Sequence, residues 1–454
     1  MQDMSSLQTI RPAAQYIPSS GTTAGFDETR LFLALQQVIL SHPALGMQIY
    51  GESVGQPKYV RLSSIQLSKV VDYLEENISL EEAFTSYLAR PFRMETSDPL
   101  WRVGILPDCT VIFVYHHVIG DGQSGLAFHR ALVTALNSPT LKYAPPETAS
   151  NIVCIPSTPI LSPPLEHLTD ASVSFRKLYH ELYGLFAPSS WKEGFTAWTG
   201  NPVATEPTID THVRLWAISS SETTTLLKAC REHSCTLTAF FHTLSIIAFS
   251  RIFASFPEET RKPFKTFSMG VAVSLRRFTG TPPEEICDQS SKYHAFVPII
   301  ATPSSQHETD ERTYIDNAFS WDAAASFSAT LHRELGSVRE EIGAMRYLFG
   351  HFKEYFLGML GKKREGTFTI SNIGRFPWSS EPEGTGGWSI GSMYFGQCDA
   401  TCGTMMKMNI VGSPSGSLGV SFTWGKGAIE DDIAEVFVHL MQVGLQVLVL
   451  KQVS

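Results

Sequence analysis

A buried strand, a glycine-containing turn and an amphipathic helix follow one another between residues 109 and 136. Residues 109–115 are an apolar, β-branched stretch that predicts a buried strand. The turn has the sequence His116-His117-Val118-Ile119-Gly120-Asp121-Gly122, and its glycines give the backbone the freedom to change direction sharply. Residues 126–136 carry apolar side chains at helical spacing. This order constrains the chain to an α/β arrangement, in which loops at strand ends carry chemistry.

The two adjacent histidines cannot both face one site, because successive side chains of a strand point to opposite faces. We expect one to act as a general base, since the unperturbed pKa of imidazole, about 6.5, lies near operating pH. The other is expected to pack or hydrogen-bond within the protein. Asp121 is better suited to fix the turn, by binding backbone N–H groups or an arginine, than to act in a triad. No GxSxG pattern occurs near the motif, so a serine hydrolase is not indicated.

The segment His116-His117-x-x-x-Asp121-Gly122 resembles the HHxxxDG motif of the CoA-dependent acyltransferase superfamily. That superfamily includes chloramphenicol acetyltransferase, plant BAHD acyltransferases, peptide-synthetase condensation domains and fungal alcohol acetyltransferases. Three further segments resemble parts of these enzymes: His42-Pro43-Ala44-Leu45, Val273-Ser274-Leu275-Arg276 and Phe368-Thr369-Ile370-Ser371-Asn372-Ile373-Gly374. The resemblance runs from about residue 27 to the C-terminus, and the fungal alcohol acetyltransferase branch fits best.

The resemblance implies an α/β fold of the α+β kind. It has two chloramphenicol-acetyltransferase-like subdomains, each a mixed sheet flanked by helices, with an active-site tunnel between them. We predict an N-terminal subdomain over residues 1–190, which holds the motif, a crossover over 191–211 and a C-terminal subdomain over 212–454. Irregular, proline-containing stretches at 141–164 and 187–208 favour this division, and a long loop inside one domain is the alternative. The first 25 residues are polar and broken by prolines, so we expect a start that is either loose or simply docked.

Composition excludes several classes of function. A net charge of −9 argues against a general nucleic-acid binder, although an anionic co-substrate needs only a local cationic cluster. Seven cysteines without a CxxC pair favour free thiols in a reducing compartment, and no pattern indicates a metal site. Since no apolar segment follows a basic start, we expect a cytoplasmic protein without a secretory signal. The apolar stretch 240–256 is interrupted by His242 and Arg251, which favours a buried helix over a transmembrane segment.

The resemblance also implies a reaction. An acyl group passes directly from acetyl-CoA or another acyl-CoA, with no tightly bound cofactor, to a small-molecule alcohol such as a secondary-metabolite hydroxyl. His117 is implied as the general base, a choice over His116 that comes from the family, and we expect the enzyme to be a monomer. His116 and Arg276 are implied as structural support, with Arg276 paired to Asp121. The Gly122 backbone N–H and the side chains of Ser371 and Asn372 are the candidate donors to the oxyanion.

Two further sets of residues are candidates for the CoA tunnel. Tyr394 stands near the position of the BAHD sequence DFGWG, which is absent, so a plant-type BAHD enzyme is a poor match. The basic run Lys362-Lys363-Arg364 is either a contact for CoA phosphates or, as charge runs more often are, a solvated loop. Two other functions stay open. One is a condensation-type protein that joins a carrier-bound thioester to an amine or alcohol, and the other is a fold relative without transfer activity that binds or cyclises a metabolite.

Overall fold

The computed structural model describes residues 9–18, 25–51, 57–142, 150–206, 209–301, 310–345, 354, 357–377, 387–397 and 402–449. The strands are β1 (Thr9–Pro18), β2 (Met47–Tyr50), β3 (Lys58–Arg61), β4 (Ser64–Gln66), β5 (Val71–Tyr73), β6 (Trp101–Ile105), β7 (Thr110–His116), β8 (Ile152–Cys154), β9 (Ala197–Trp198), β10 (Thr211–Ile218), β11 (Thr266–Ser274), β12 (Ser290–Pro298), β13 (Gly366–Arg375), β14 (Trp388–Gln397), β15 (Thr404–Gly412) and β16 (Leu418–Gly425). The helices are α1 (Glu28–Ser41), α2 (Leu80–Leu88), α3 (Gly122–Leu136), α4 (Pro139–Lys142), α5 (Leu165–Leu168), α6 (Phe175–Phe186), α7 (Ser220–Glu232), α8 (Leu237–Ala254), α9 (Glu258–Arg261), α10 (Arg276–Thr279), α11 (Glu311–Ala318), α12 (Trp321–Glu334), α13 (Arg339–Met345) and α14 (Asp431–Leu448).

The first sheet has five strands in the order β14-β1-β7-β6-β5. All seven residues of β7 are buried, because the strand lies inside the sheet and packs on both faces. The Phe113 ring stacks on Phe128 of α3 with 3.7 Å between ring centroids, so the strand and the helix on either side of the motif turn share one core. This packing fixes the turn between them.

The expectation of a loose or simply docked start did not foresee that residues 9–18 are built into the first sheet, and a loose start is wrong for them. These residues form β1, which pairs antiparallel with β7 on one side and with β14 on the other. Nearly the whole strand is buried, including Arg11. The sequence did not show this because prolines and polar residues mask the strand pattern, and one of the two pairing partners lies more than 370 residues away.

The second sheet has the order β10-β16-β15-β13-β11-β12, and β9 adds to it beside β11. It is mixed, since β13 runs parallel to both β11 and β15 while the remaining pairs along this order are antiparallel. Helices α8 and α14 pack together and share a buried core with this sheet. Among the described residues, α8 is the one helix long and apolar enough to cross a bilayer, and most of it is buried inside the protein.

Strand β14 ties the two sheets together. It lies within the predicted C-terminal subdomain, yet it pairs with β1 of the first sheet. It also crosses over β16, where the Ser421 hydroxyl donates to the Phe395 carbonyl oxygen at 2.5 Å. A side chain at Gly419 would overlap the Met393 carbonyl oxygen, so only glycine permits this approach. The boundaries at 190 and 212 stay a prediction, and β14 is the element that crosses between the halves.

Candidate active site

The motif turn begins where β7 ends. His116 is buried, and its Nδ1 accepts a hydrogen bond from the Val118 N–H at 3.1 Å. Residues His117–Ile119 form one turn of 3-10 helix, after which Asp121 caps the N-terminus of α3. The two histidines therefore separate because the strand ends at His116, which binds the backbone of the turn, whereas His117 lies outside the strand in the 3-10 turn.

Asp121 pairs with Arg276, which begins α10 just after β11 of the second sheet. The Arg276 Nη2 lies 3.0 Å from Asp121 Oδ1, and the Arg276 Nε donates to Oδ2 at 3.3 Å. Both side chains are buried. Burial alone would lower the pKa of Arg276, but the Asp121 carboxylate raises that pKa above its usual value, so the guanidinium stays charged. The turn that carries His117 is thus bound across the two halves.

The same arginine holds the loop formed by residues 280–289. Its Nη1 donates to the carbonyl oxygens of Pro282 and Glu285, each at 2.9 Å, and its Nη2 donates to that of Cys287 at 3.2 Å. Ser124, in the first turn of α3, donates from Oγ to the same Cys287 oxygen at 2.9 Å. The 280–289 loop is therefore fixed against the N-terminus of α3.

This loop brings Asp288 to His117. The Asp288 Oδ2 lies 3.1 Å from His117 Nδ1, and the His117 side chain is 24% exposed. Burial alone would lower the pKa of His117, but the Asp288 carboxylate and, more weakly, Asp121 raise it above the usual value. Burial would raise the pKa of Asp288, and the His117 ring lowers it instead. The pair therefore favours a charged carboxylate beside the imidazole.

A tyrosine from a third element completes the turn. The Tyr59 hydroxyl, on β3, donates to the Val118 carbonyl oxygen at 2.5 Å. Burial and the nearby Asp288 and Cys287 raise the pKa of Tyr59 to about 12, so it stays a donor at neutral pH. Within the described part of the chain, we find no hydrogen bond from His117 Nε2 to another residue. Nε2 is thus the nitrogen left for a substrate.

The strand β13 meets the motif at Gly122. A Cβ atom at Gly122 would lie 2.5 Å from Ile373 Cγ2, so glycine lets the start of α3 touch this strand. Ser371 lies on the same face as Ile373, and its Oγ accepts a hydrogen bond from Gln397 Nε2 at 3.0 Å. Asn372 points to the opposite face, where its Nδ2 donates to Thr238 Oγ1 at 3.3 Å. Of the two predicted oxyanion donors on β13, the structure brings Ser371 to the motif side and Asn372 to the α8 side.

The basic run contacts the segment 194–203 and not the motif turn. Lys363 Nζ donates to the carbonyl oxygens of Gly194 and Phe195, and Arg364 Nε donates to that of Asn201 at 3.0 Å. Arg364 is buried, so this residue is not part of a solvated loop. The Lys362 carbonyl oxygen accepts from the Val203 N–H at 2.8 Å. These contacts give the run a structural role in joining β13 to the crossover.

Tyr394 is half-buried on β14 and faces Gly419 of β16. Burial and Glu81 raise its pKa above the usual value, so the hydroxyl remains protonated. Among the described residues, no group of three or more His, Cys, Asp or Glu side chains is placed to hold a metal ion. The described groups at the turn are an imidazole, a carboxylate and hydrogen-bond donors.

Sequence reasoning missed Asp288, Tyr59 and Gln397. Asp288 is separated from His117 by 171 residues, and no local pattern marks it. Of the residues identified from the sequence, Arg276 lies nearest to Asp288 in the chain. The resemblance singled it out, and it starts the helical turn before the 280–289 loop. Gln397 follows directly on Tyr394-Phe395-Gly396, but its contact with Ser371 depends on how β14 packs against the second sheet.

Comparison with known proteins identifies a family for this chain. The family model described as alcohol acetyltransferase matches residues 19–443. A probable alcohol acetyltransferase of Fusarium pseudograminearum is 27% identical over 426 residues, covering 88% of this chain and 82% of the relative. Another, from Aspergillus fumigatus, is 24% identical over 458 residues, covering 95% and 93%.

Solved structures share the fold. The trichothecene 15-O-acetyltransferase of Fusarium sporotrichioides superposes with a TM-score of 0.66 at 12% identity, covering 98% of this chain and 91% of that one. The condensation domain of the Monacolin K polyketide synthase superposes with a TM-score of 0.57 at 11% identity, covering 98% and 93%. These neighbours confirm the predicted α/β fold with two subdomains. From the family model and these relatives, the chain belongs to the alcohol acetyltransferase family and is an acyltransferase.

Proposed function

We propose that the chain transfers an acyl group, acetyl in the first instance, from an acyl-CoA to the hydroxyl of a small-molecule alcohol, with His117 as general base. The observation that carries this proposal is the setting of the His117 ring. Nδ1 lies against a carboxylate, while Nε2 has no hydrogen-bond partner in another described residue. An imidazole held in this way presents a basic nitrogen to an incoming hydroxyl.

The reaction needs no covalent intermediate on the protein. His117 Nε2 takes the proton of the acceptor hydroxyl as its oxygen attacks the thioester carbonyl carbon. The tetrahedral intermediate then collapses, the carbon–sulfur bond breaks, and the proton passes from Nε2 to the departing sulfur. The products are the ester and free CoA, so one proton moves from oxygen to sulfur and the enzyme returns to its starting state.

Two donors are candidates for stabilising the oxyanion. The backbone N–H of Gly122 belongs to the first turn of α3, where N–H groups have no partner inside the helix and the helix dipole favours negative charge. The Ser371 hydroxyl lies on the β13 face that contacts Gly122 through Ile373. Preorganised donors of this kind strengthen as charge develops on the carbonyl oxygen.

We further propose a secondary-metabolite hydroxyl as acceptor and a monomeric enzyme in the cytoplasm. A relative of the same fold is described as acting on the 15-hydroxyl oxygen of a trichothecene, which supports this class of acceptor. Six cysteines of the described residues are free, which supports a reducing compartment.

The test uses the purified full chain, acetyl-CoA and a panel of alcohols, with release of the CoA thiol measured by a thiol reagent. We expect alcohol-dependent release that is lost in His117→Ala and retained in His180→Ala, an exposed histidine on α6. Full activity in His117→Ala would contradict the assignment of the base. Activity only with a carrier-bound thioester would instead support a condensation-type enzyme.

A binding measurement tests the donor without knowledge of the acceptor. A ligand at about one hundred times its dissociation constant stabilises the folded state by about 2.7 kcal/mol, which shifts thermal unfolding by a few degrees. We expect acetyl-CoA to produce this shift in both the wild type and His117→Ala, since the base is not needed for binding. The absence of any shift would contradict free CoA as the donor.

A further inference from the structure

The 280–289 loop has a second property besides its contact with Arg276. The residues on both sides of Asp288 are hydrogen-bonded to the N-terminus of α3. The Asp121 N–H donates to the Cys287 carbonyl oxygen at 3.2 Å, and the Gln289 N–H donates to Asp121 Oδ2 at 3.2 Å. The Cys287 N–H also donates to Ser124 Oγ at 3.2 Å. Asp288 thus stands between two backbone positions that are fixed to the motif itself.

We propose that Asp288 is the positioning residue of His117, and that the buried Asp121–Arg276 pair serves to place Asp288 against the imidazole across the two halves. This inference rests on the proposed function of His117 as general base. It gives the motif aspartate a role beyond its own turn. Asp121 binds Arg276, and it also binds the 280–289 loop, which carries Asp288.

The orientation of the Asp288 carboxylate is also fixed. Its Oδ1 accepts hydrogen bonds from the Ser290 N–H at 3.3 Å and the Ser290 hydroxyl at 2.8 Å. The other oxygen, Oδ2, is thereby directed at His117 Nδ1, 3.1 Å away. A carboxylate accepts hydrogen bonds only, so the proton of the neutral ring resides on Nδ1 and the lone pair on Nε2.

The charge of Asp288 acts on the reaction as well as on the ring position. When His117 takes the proton of the alcohol it becomes an imidazolium, which the adjacent carboxylate stabilises. Among the described residues, the ionisable groups around this imidazole include the carboxylates of Asp288 and Asp121, the Arg276 guanidinium bound to Asp121, and the Tyr59 hydroxyl and Cys287 thiol near Asp288. Of these, only Asp288 forms an ion pair with the ring.

The experiment compares Asp288→Asn, Asp288→Glu and wild type by kcat, KM and the pH dependence of kcat/KM. We expect Asp288→Asn to lower kcat about 100-fold, with a much smaller change in KM, and Asp288→Glu to recover part of the loss. The acidic limb of the profile reports protonation of the base. Because removal of the negative charge lowers the pKa of His117, that limb should move to lower pH in Asp288→Asn.

A purely structural role gives a different result. It would lower the melting temperature and reduce activity at all pH values, without moving the acidic limb. The inference is overturned if Asp288→Asn keeps the kcat of the wild type, or if it loses activity while its acidic limb stays in place.

A second readout separates this inference from the proposed function. The His117 ring can be titrated by NMR in protein labelled at histidine carbons, with the His117→Ala variant used to assign its signal. We expect a lower pKa of His117 in Asp288→Asn than in wild type, whether or not an acceptor is found. If wild type turns over but the two pKa values are equal, only the role of Asp288 fails. If wild type releases no CoA from any acyl-CoA tested, the proposed function fails and the inference fails with it, even if the two pKa values differ.

Discussion

The guanidinium of Arg276 and the carboxylate of Asp121 form a buried, bidentate ion pair, although the two residues lie 155 positions apart in the chain. Such a pair contributes little net stability compared with apolar packing, because both charges lose their hydration. Removal of one partner is different, since it leaves the other charge buried without compensation. The contact of the motif turn with the 280–289 loop therefore depends on both residues.

Asp121→Ala should lower the free energy of unfolding by about 3–5 kcal/mol, because it leaves the Arg276 guanidinium buried without a carboxylate partner. Asp210→Ala is the matched control, since Asp210 pairs with Lys426 on the surface, where the two side chains are 55% and 67% exposed. An exposed pair contributes about 0–1 kcal/mol. Denaturant unfolding measures the free energy of unfolding of both variants. Equal losses would contradict a larger stabilising effect of the buried pair.

Gly122→Ala should disturb the contact between α3 and β13. The added methyl group would lie 2.5 Å from Ile373 Cγ2, so we expect a loss of about 1–3 kcal/mol and reduced activity. Gly184→Ala in α6 is the control, because a Cβ atom there meets nothing within 4 Å, and alanine should stabilise that helix slightly. Adding Ile373→Ala to Gly122→Ala should restore part of the stability, and a strictly additive double variant would argue against the clash.

Ser371 and Asn372 lie on opposite faces of β13, so substitutions at the two positions test which side chain donates to the oxyanion. Ser371→Ala should lower kcat about 100-fold with little change in KM, if its hydroxyl donates to the developing oxyanion. Asn372→Ala should change kcat far less, since its amide binds Thr238 on the α8 side. Steady-state kinetics decide between the two, and the reverse order of effects would move the oxyanion donor to Asn372.

His129 should make the folded protein less stable as pH falls below neutrality. Burial lowers the pKa of His129 to about 4, while Tyr16 and the Pro12 carbonyl oxygen lie within hydrogen-bond distance of its two ring nitrogens. The unfolded chain binds a proton there below about pH 6.5, and the folded chain only below about pH 4. Stability is therefore lost between these values, at about 1.4 kcal/mol per pH unit at most.

The measurement is the free energy of unfolding at pH 7.5 and 5.5 for wild type and His129→Gln. We expect a smaller difference between the two pH values in the variant, because one titrating group is gone. His242, whose pKa burial lowers to about 3, contributes to the same loss, whereas His117, whose pKa is raised, contributes in the opposite direction. An unchanged pH dependence in His129→Gln would show that the pKa of this histidine is the same in the folded and the unfolded chain, which would contradict the prediction.

The parts of the fold that sequence reasoning predicted well are those set by neighbouring residues. The β7–turn–α3 unit follows from an apolar strand, glycines and helical periodicity within thirty residues. Helix α2 is also set by neighbouring residues, because Ser79 and Glu82 form a capping box at its start. The family, the fold class and acyltransferase activity are confirmed by the comparisons.

The missed features depend on pairing between distant parts of the chain. Strand β1 has no clear alternation, and its burial comes from partners at residues 110–116 and 388–397. Asp288 lies in a loop whose path is set by Arg276 and Ser124, not by its own sequence. The opposite orientations of Ser371 and Asn372 are a property of any strand, but the face that meets Gly122 depends on how the sheets pack.

The pairing of β14 with β1 has a consequence for synthesis on the ribosome. One edge of β1 stays open until residues 388–397 have emerged, so the first sheet cannot be completed while only the first half has been made. An unpaired, largely buried strand such as β1 is a site for wrong association in the nascent chain. The first sheet, which contains β7 and so positions the motif turn, is therefore completed only after residues 388–397 have been translated.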